Sequence, residues 1–337
     1  MSENMPKIEK GYIPGIDTLK ALGLWLMVLG HANLTDDTLK IAIFSFHMPL
    51  FFVISGYLFK YRGIKEQVVK SWQTILVPYF IVNALCLILN LISAFKHGEL
   101  TLPFLWDNAF PIFVGLGYNS GEYTPVCPPM WFFYVMFFLQ ILINIVGRNI
   151  LHCVILVTAS LLSCWVMKMN NINTTIPFDS LLMAIPFFYL GMGIKSFIKG
   201  FALKMGVLSY GATLVLMIIG LIVGMYNGRV DMNSFNFGSS ILLFYTSASA
   251  TCCALLYISL HIGGGKLAKT IAVGAPIIVG FNLTTTPIIK IFVAILFPNL
   301  TWNNYIGIIV SLVSLCILLM VSMVAQRYLP AILGYRK

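Results

Sequence analysis

Ten apolar segments divide this chain of 337 residues, and each is about long enough to cross a bilayer as a helix. A membrane-spanning helix needs about 20 apolar residues, because it must traverse a hydrocarbon core about 30 Å thick. The segment 103–118 is shorter and interrupted by Pro103, Asp107 and Pro111, so we expect an interfacial or re-entrant piece there. The ten predicted helices lie near residues 15–33, 40–59, 74–95, 129–147, 150–167, 177–197, 205–226, 239–261, 271–296 and 304–327.

The composition excludes an ordinary soluble domain. Hydrophobic residues make up 59% of the chain and charged residues 9%, whereas soluble domains contain about 25% charged residues. We therefore predict an all-α integral membrane protein. The net charge of +10 does not indicate a nucleic-acid partner, because the basic residues lie in the loops between apolar segments, where they usually set membrane topology.

The basic residues are distributed unequally between the two sides of the predicted membrane domain. With a cytoplasmic N-terminus, fifteen Lys and Arg residues lie on the inner side and four on the outer side, while Lys20 and Lys290 fall within spans. This asymmetry predicts an even number of spans with both termini in the cytoplasm. We expect a cytoplasmic tail over 1–14, a ten-helix membrane domain over 15–327, a second tail over 328–337, and no fused soluble domain.

The first two predicted helices carry four ionisable residues, Asp17, Lys20, His31 and His47. A charged or polar group in hydrocarbon is costly unless it faces a cavity or a partner, so this pair of helices is a candidate functional site. Lys20 and His31 are eleven residues apart, which puts them on one helix face about 16 Å from each other. Asp17 is three residues before Lys20 and can pair with it.

The histidines are the candidates for proton transfer. An imidazole can accept a proton from a hydroxyl group and release it near neutral pH. The alternative for His31 is an interfacial histidine with a structural role. Pro49 is expected to kink the second helix, and Ser55 with Gly56 favours close helix packing over a nucleophile, because no base lies at helical spacing from Ser55.

The segment 97–128 is rich in aromatic residues. Aromatic rings can form a platform for sugar rings, or a belt at the membrane interface, and the residue types alone are compatible with both. The residues concerned are Phe104, Trp106, Phe110, Phe113, Tyr118 and Tyr123.

The seven cysteines do not indicate a metal site or a disulfide framework. All except Cys127 fall in apolar segments, and none forms a Cys-x-x-Cys or Cys/His cluster. We expect no metal ion and no permanently bound cofactor.

Residues 16–20 (IDTLK) with His31, followed by 46–52 (FHMPLFF) and 55–57 (SGY), resemble the start of the acyltransferase-3 family. The signature of this family is a basic residue, ten further residues and a histidine, which Lys20 and His31 match. Further similarities are 76–79 (LVPY), 131–132 (WF) and 187–191 (FFYLG).

The resemblance implies a membrane enzyme that transfers an acyl group, most often acetyl, from a coenzyme A thioester to a hydroxyl of a carbohydrate such as a surface polysaccharide or its lipid-linked precursor. It implies His31 as the general base or a transient acyl carrier, with Lys20 and Asp17 forming a polar track beneath it. His47 would lie opposite on the second helix, and Trp131 and Tyr134 would line the acceptor side or serve packing only.

The expected partners follow from that reaction: acyl-CoA, a carbohydrate acceptor, membrane lipid and proteins of polysaccharide biosynthesis, in the inner (cytoplasmic) membrane. Lys70, together with Lys60 or Arg62, would meet the coenzyme phosphates or would act only as a topology signal. The sequence departs from the family where Lys70 and Gln73 replace a pair of arginines, and where the helix after Gly274 has no histidine.

Two other function classes fit part of the sequence. In a transporter or flippase for a lipid-linked sugar or small solute, Asp17, Lys20, Asp179 and Lys290 would form an ion or substrate path. No inverted repeat supports this alternative. The third class is a catalytically silent scaffold of a polysaccharide assembly complex.

Overall fold

The computed structural model describes residues 13–32, 34–118, 123–174, 176–200 and 207–334. Within these residues all regular structure is helical, apart from one isolated antiparallel bridge between Asp231 and Asn236. The helices are α1 (Pro14–Gly30), α2 (Asp37–Phe44), α3 (His47–Leu58), α4 (Ile64–Ser71), α5 (Val77–His97), α6 (Leu102–Val114), α7 (Trp131–Val146), α8 (Ile150–Met169), α9 (Phe178–Gly200), α10 (Val207–Asn227), α11 (Ile241–Ile262), α12 (Lys266–Val273), α13 (Ala275–Leu296) and α14 (Asn304–Tyr328).

Nine helical stretches in the described part of the chain are long and apolar enough to cross a bilayer. They correspond to nine of the ten predicted spans, with α2 and α3 together forming one of them. The remaining predicted span is α1, which has 17 residues and is shorter than the other nine. The multi-pass membrane class is therefore confirmed, while the orientation of the helices stays a prediction from charge.

Parts of the sequence predictions lie outside the described residues. These are the N-terminal tail up to residue 12, the predicted helix ends at 33 and 205, the last three residues of the C-terminal tail, and five of the counted basic residues, Lys7, Lys10, Lys204, Arg336 and Lys337.

The second predicted span is broken at Ser45–Phe46, not merely kinked. Pro49 has no backbone N–H and its ring clashes with the carbonyl four residues earlier, which belongs to Ser45. The helix therefore ends at Phe44 and a new one starts at His47. This break places His47 in the first turn of α3, in the interior of the protein.

The third predicted span starts ten residues earlier than the sequence indicated. α4 continues into α5 through a π-helical segment, Trp72–Leu76. α4 is amphipathic, with Gln67 and Ser71 buried and both bonded to Gln140 of α7. A hydropathy criterion misses such a helix because its buried face is polar. The predicted interfacial piece contains α6, which at 13 residues is too short to span a bilayer.

α1 lies in the interior and packs against α3, α11, α12, α13 and α14. Its first turn meets the turn between α11 and α12, where the Thr18 hydroxyl donates to the Gly263 carbonyl at 2.7 Å. α1 runs antiparallel to the stretch formed by α2 and α3, because Gly30 lies beside Phe44 of α2 and Gly23 beside Phe51 of α3. We call the side of the bundle on which α1 begins and α3 ends the basic side, since it carries Arg62, Arg148 and Lys195.

The outermost helices face the surroundings with apolar side chains. Only 11% of α8 and 17% of α10 are buried within the protein, although both have high mean hydropathy. In water such surfaces would aggregate, whereas in a bilayer they contact lipid tails. The bundle is thus built for a membrane, with α1 and α3 in its centre.

Candidate functional site

A cavity of about 140 Å³ lies at the end of the bundle opposite the basic side. Both histidines predicted from the sequence line it, His31 from the end of α1 and His47 from the start of α3. The other walls come from α7, α13 and the loop between α10 and α11. Their lining residues are Leu24, Met27, Phe44, Met48, Phe51, Pro128, Pro129, Trp131, Phe132, Phe133, Val230, Asp231, Met232, Asn233, Ala275, Val279 and Leu283.

His47 is held in a defined orientation. Its Nδ1 is 3.0 Å from the Ile43 carbonyl, which also accepts the backbone N–H of Phe46 at the break between α2 and α3. A carbonyl can only accept, so Nδ1 carries the proton and the neutral ring keeps the Nε2 lone pair as an acceptor. With a side chain 3% exposed, His47 is a buried, pre-oriented hydrogen-bond acceptor.

His31 follows the last residue of α1, and its backbone N–H donates to the carbonyls of Met27 and Val28. Its imidazole makes an edge contact with the ring of Phe44 at 5.8 Å between centroids, and the same ring contacts His47 at 4.9 Å. Phe44 therefore packs against both imidazoles.

Two cations act on His31. The charges of Lys40 and Arg229 reach His31, and the Arg229 guanidinium lies 5.9 Å above the ring of Phe44. The same charges can stabilise an oxyanion that forms beside His31.

The loop between α10 and α11 closes the cavity as a fixed cap. The backbones of Asp231 and Asn236 pair with N–O distances of 2.9 and 2.8 Å. The Ser180 hydroxyl donates to the Met232 carbonyl at 2.8 Å. Val230, Met232 and Phe237 of this loop are buried. These hydrogen bonds and buried side chains hold the loop in one conformation, unlike most surface loops. The positions of its polar side chains are therefore defined.

Asp231 and Asn233 bring further polar groups to the cavity. Asp231 Oδ1 accepts the backbone N–H of Asn233 at 3.0 Å, and Asn233 Nδ2 donates to the Gly117 carbonyl at 2.6 Å. Asn233 Oδ1 is buried and accepts no hydrogen bond from the described residues. Sequence reasoning missed both, because Asp and Asn in a loop after an apolar helix are typical turn residues.

The structure places the predicted site residues in two groups. His31, His47 and Trp131 line one cavity. Tyr134 points elsewhere: its hydroxyl donates to the Phe113 carbonyl at 3.1 Å, and its ring packs on Tyr79. Lys70 is an exposed residue of α4 on the basic side, and it does not line the cavity.

Lys20 lies about three turns and Asp17 about four turns before His31, and neither lines the cavity. The Asp17 charge acts on Lys20, and both side chains are half-buried. The predicted polar pair below His31 is thus consistent with the fold. Its role in the reaction stays a prediction.

The Lys20 variants separate a charge requirement from a packing requirement. We expect Lys20→Arg to retain much of the acyl transfer that the resemblance implies and Lys20→Met to retain about 10% of it or less, because only arginine keeps a cation beside Asp17. Initial rates of label transfer in membranes with matched protein amounts measure the difference. Equal rates for the two variants would remove Lys20 from the mechanism.

The six aromatic residues of the segment 97–128 are all among the described residues, and none lines the histidine cavity. Trp106 stacks on Phe110, which contacts Tyr123 at 4.7 Å between centroids, and Trp106 is 58% exposed. This placement favours the interfacial belt over the sugar platform. Within the described residues, no group of three or more His, Cys, Asp or Glu residues is arranged to hold a metal ion.

A family model described as an acyltransferase domain matches residues 13–324. The match covers nearly the whole chain and includes His31, His47 and the capping loop. No curated protein and no solved structure matches the chain.

Proposed function

The chain belongs to the acyltransferase-3 family, and from this premise we propose that it transfers an acetyl group from acetyl-CoA to a hydroxyl group of a carbohydrate. The observation that carries the proposal is the cavity that holds His31 and His47 together with Asp231, Asn233 and Trp131. An imidazole can accept the proton of a hydroxyl group and release it again. A carboxylate and an amide can form hydrogen bonds to the hydroxyl groups of a sugar, and an indole can pack against its ring.

In the proposed reaction the acceptor oxygen attacks the thioester carbonyl while His31 takes the hydroxyl proton. The new C–O bond forms, and the oxyanion of the tetrahedral intermediate lies near the positive charges of Arg229 and Lys40. The C–S bond then breaks, and the coenzyme thiolate receives the proton from the His31 imidazolium. His47 Nε2 accepts a hydrogen bond from a hydroxyl of the acceptor and orients it.

The donor and the acceptor arrive from opposite sides. Acetyl-CoA is a cytoplasmic metabolite, and the excess of basic residues indicates that the basic side faces the cytoplasm. The thioester arm would pass along α1, over Lys20 and Asp17, to reach His31 at the other end. His31 acting as a transient acyl carrier is the alternative route for the same transfer. We place the protein in the cytoplasmic membrane on this ground.

The transporter alternative needs a continuous ionisable path, and the contacts argue against one. Asp179 is buried at the start of α9 and accepts hydrogen bonds from the backbone of Thr174 and Ser180. Lys290 lies over the ring of Trp302 at 4.9 Å. Each thus has a local structural role, and neither lines the cavity of the histidines.

The proposal is tested with the full-length protein in liposomes, labelled acetyl-CoA and a panel of oligosaccharides and lipid-linked sugars. Transfer of label to a sugar hydroxyl is the expected result. Accumulation of a sugar without transfer would support a transporter instead. Binding of polysaccharide-assembly proteins with neither activity would support a scaffold.

Asp231→Asn tests whether the capping loop recognises the acceptor. Asparagine keeps the Oδ1 that accepts the Asn233 N–H but removes the charge, so the loop should keep its conformation. We expect the KM for the acceptor to rise roughly tenfold, since a charged hydrogen bond contributes about 1.5–3 kcal/mol. The KM for acetyl-CoA should stay unchanged. An unchanged acceptor KM would assign Asp231 to the loop structure alone.

A further inference from the structure

A groove of about 700 Å³ opens on the basic side, at the opposite end of the bundle from the histidines. It lies between the end of α3, the start of α8 and the last turns of α9. None of its walls takes part in the reaction proposed above. Its chemistry is divided: polar and basic groups at one end, apolar side chains along the other.

Two cations, Arg148 and Lys195, occupy the polar end. The Arg148 guanidinium lies 5.0 Å above the ring of Tyr61, and Lys195 Nζ donates to the Phe59 carbonyl at 3.0 Å. Among the described residues, those that line the groove include no Asp or Glu, and Arg148 forms no ion pair. The groove therefore presents two positive charges to whatever enters it.

The cations stand on a rigid frame. The Tyr61 hydroxyl donates to the Gly147 carbonyl at 2.6 Å, which joins the turn after α3 to the turn before α8. Asn144 bonds to both the N–H and the carbonyl of Arg62, at 3.1 and 3.0 Å. The main chain next to Arg148 is thus held in place by the hydrogen bond to Gly147.

The apolar wall consists of Ile150, Val154 and Val157, which share one face of α8. α8 is the helix with the smallest buried share of the nine candidate spans in the described residues, so this wall is open to the bilayer. On the α9 side, a Cβ built at Gly193 would meet no atom within 4 Å, which leaves room beside the wall. A hydrocarbon chain fits such a surface better than a soluble ligand.

Close packing of α3 on α9 separates the groove from the histidine cavity. Gly56 of α3 lies against the Phe188 carbonyl, and Gly191 of α9 lies against the Val53 carbonyl. The two backbones touch at these positions, which closes the direct route between α3 and α9. A coenzyme bound in the groove would thus not reach His31 between these two helices.

We propose that this groove binds an anionic phospholipid, with its phosphate between Arg148 and Lys195 and one acyl chain along Val154 and Val157. Basic pockets between spans at the inner interface bind lipid headgroups in this manner. The phosphate accepts hydrogen bonds from both cations, and its charge complements a groove that has no carboxylate in the described lining. The lipid would join α8 to α9 on the basic side.

The test compares lipid binding to the full-length protein and to Arg148→Gln/Lys195→Gln. Detergent-purified protein is titrated with phosphatidylglycerol and, separately, with phosphatidylcholine of the same chains, with binding followed by native mass spectrometry and by the melting temperature. We expect the affinity for phosphatidylglycerol to fall at least tenfold, about 1.4 kcal/mol, with little change for phosphatidylcholine. The control, Lys266→Gln/Arg327→Gln, removes two exposed cations on the same side and should change affinity less than twofold.

Coenzyme A binding, measured on the same two variants, distinguishes the lipid from the donor. We expect both variants to bind coenzyme A like the original protein. Equal loss of lipid affinity in the two variants would overturn the proposal, and so would a tenfold loss of coenzyme A affinity in Arg148→Gln/Lys195→Gln alone. If the double variant does not purify as a monodisperse protein, the single variant Arg148→Gln is used in its place, because Arg148 is exposed. Its affinity for phosphatidylglycerol is expected to fall at least threefold. None of these outcomes depends on acyl transfer.

Discussion

Replacement of His31 by alanine is expected to lower acyl transfer by a factor of about 10² to 10⁴, the range that general acid–base catalysis contributes. The physical reason is the loss of the group proposed to take the acceptor proton and to return it to the leaving thiolate. Water in the cavity would be a far weaker base. The rate of label transfer from acetyl-CoA to the acceptor measures the loss.

The fold should tolerate this change. His31 is past the last residue of α1, its backbone N–H is already bonded to the helix, and its ring contacts Phe44 at an edge. Alanine at this position therefore leaves the helix end in place and enlarges a cavity that exists already. We expect the variant in the membrane in normal amounts, with a melting temperature within a few degrees of the original protein.

His97→Ala is the matched control. His97 lies at the end of α5, on the same side of the bundle as His31, and its Nδ1 bonds to the Ser93 carbonyl of its own helix at 2.8 Å. It is exposed and distant from the cavity walls. Its removal should leave the rate within about twofold of the original, the limit of an ordinary assay. Near-normal transfer by His31→Ala would refute the catalytic assignment and direct attention to His47.

The second large effect is expected on folding, at the contact between α3 and α9. Gly191→Ala should destabilise the protein by about 1–3 kcal/mol, and Gly191→Leu should prevent its accumulation. A Cβ at Gly191 would overlap the Val53 carbonyl oxygen, a backbone atom that cannot rotate away. Small residues allow helix backbones to approach closely in membranes, where packing replaces the hydrophobic effect between helices. Thermal unfolding of purified protein measures the loss.

Gly193→Ala provides the matched control on the same helix, two residues away. Its added Cβ would meet no atom within 4 Å, and alanine favours helix over glycine by about 1 kcal/mol. We therefore expect an unchanged or slightly higher melting temperature. The two alanine variants differ only in what the new methyl group meets, so equal stability would show that the close approach of α3 and α9 does not exist in the membrane.

Several elements were predictable from local sequence. Nine of the predicted spans coincide with membrane-length helices, because hydropathy over about 20 residues is a property of the segment itself. Pro49 predicted a kink, and the structure shows a full break at Ser45–Phe46, after which the His47 ring bonds to the Ile43 carbonyl. The family resemblance of the first two spans agrees with the family model that matches residues 13–324.

Other elements were missed for identifiable reasons. α4 escaped the hydropathy criterion because its buried residues Gln67 and Ser71 are polar and are satisfied by Gln140 of a distant helix. Tyr134 lies on the same helix as Trp131, but its hydroxyl bonds to the Phe113 carbonyl and not to the cavity. Which face of a membrane helix meets the protein and which meets lipid is decided by neighbours that a single segment does not contain.

The sequence by itself determined that this chain spans a membrane, and it placed Lys20 and His31 at helical spacing on the first apolar segment. These properties depend on composition, hydropathy and the helical period, all of which act within one segment. Only the tertiary structure decided that Asp231 and Asn233 meet the two histidines in one cavity, and that Arg148 and Lys195 share a groove. Such meetings join residues up to about 200 positions apart in the chain, and they follow from packing contacts such as Gly56 against Phe188, which no local pattern encodes.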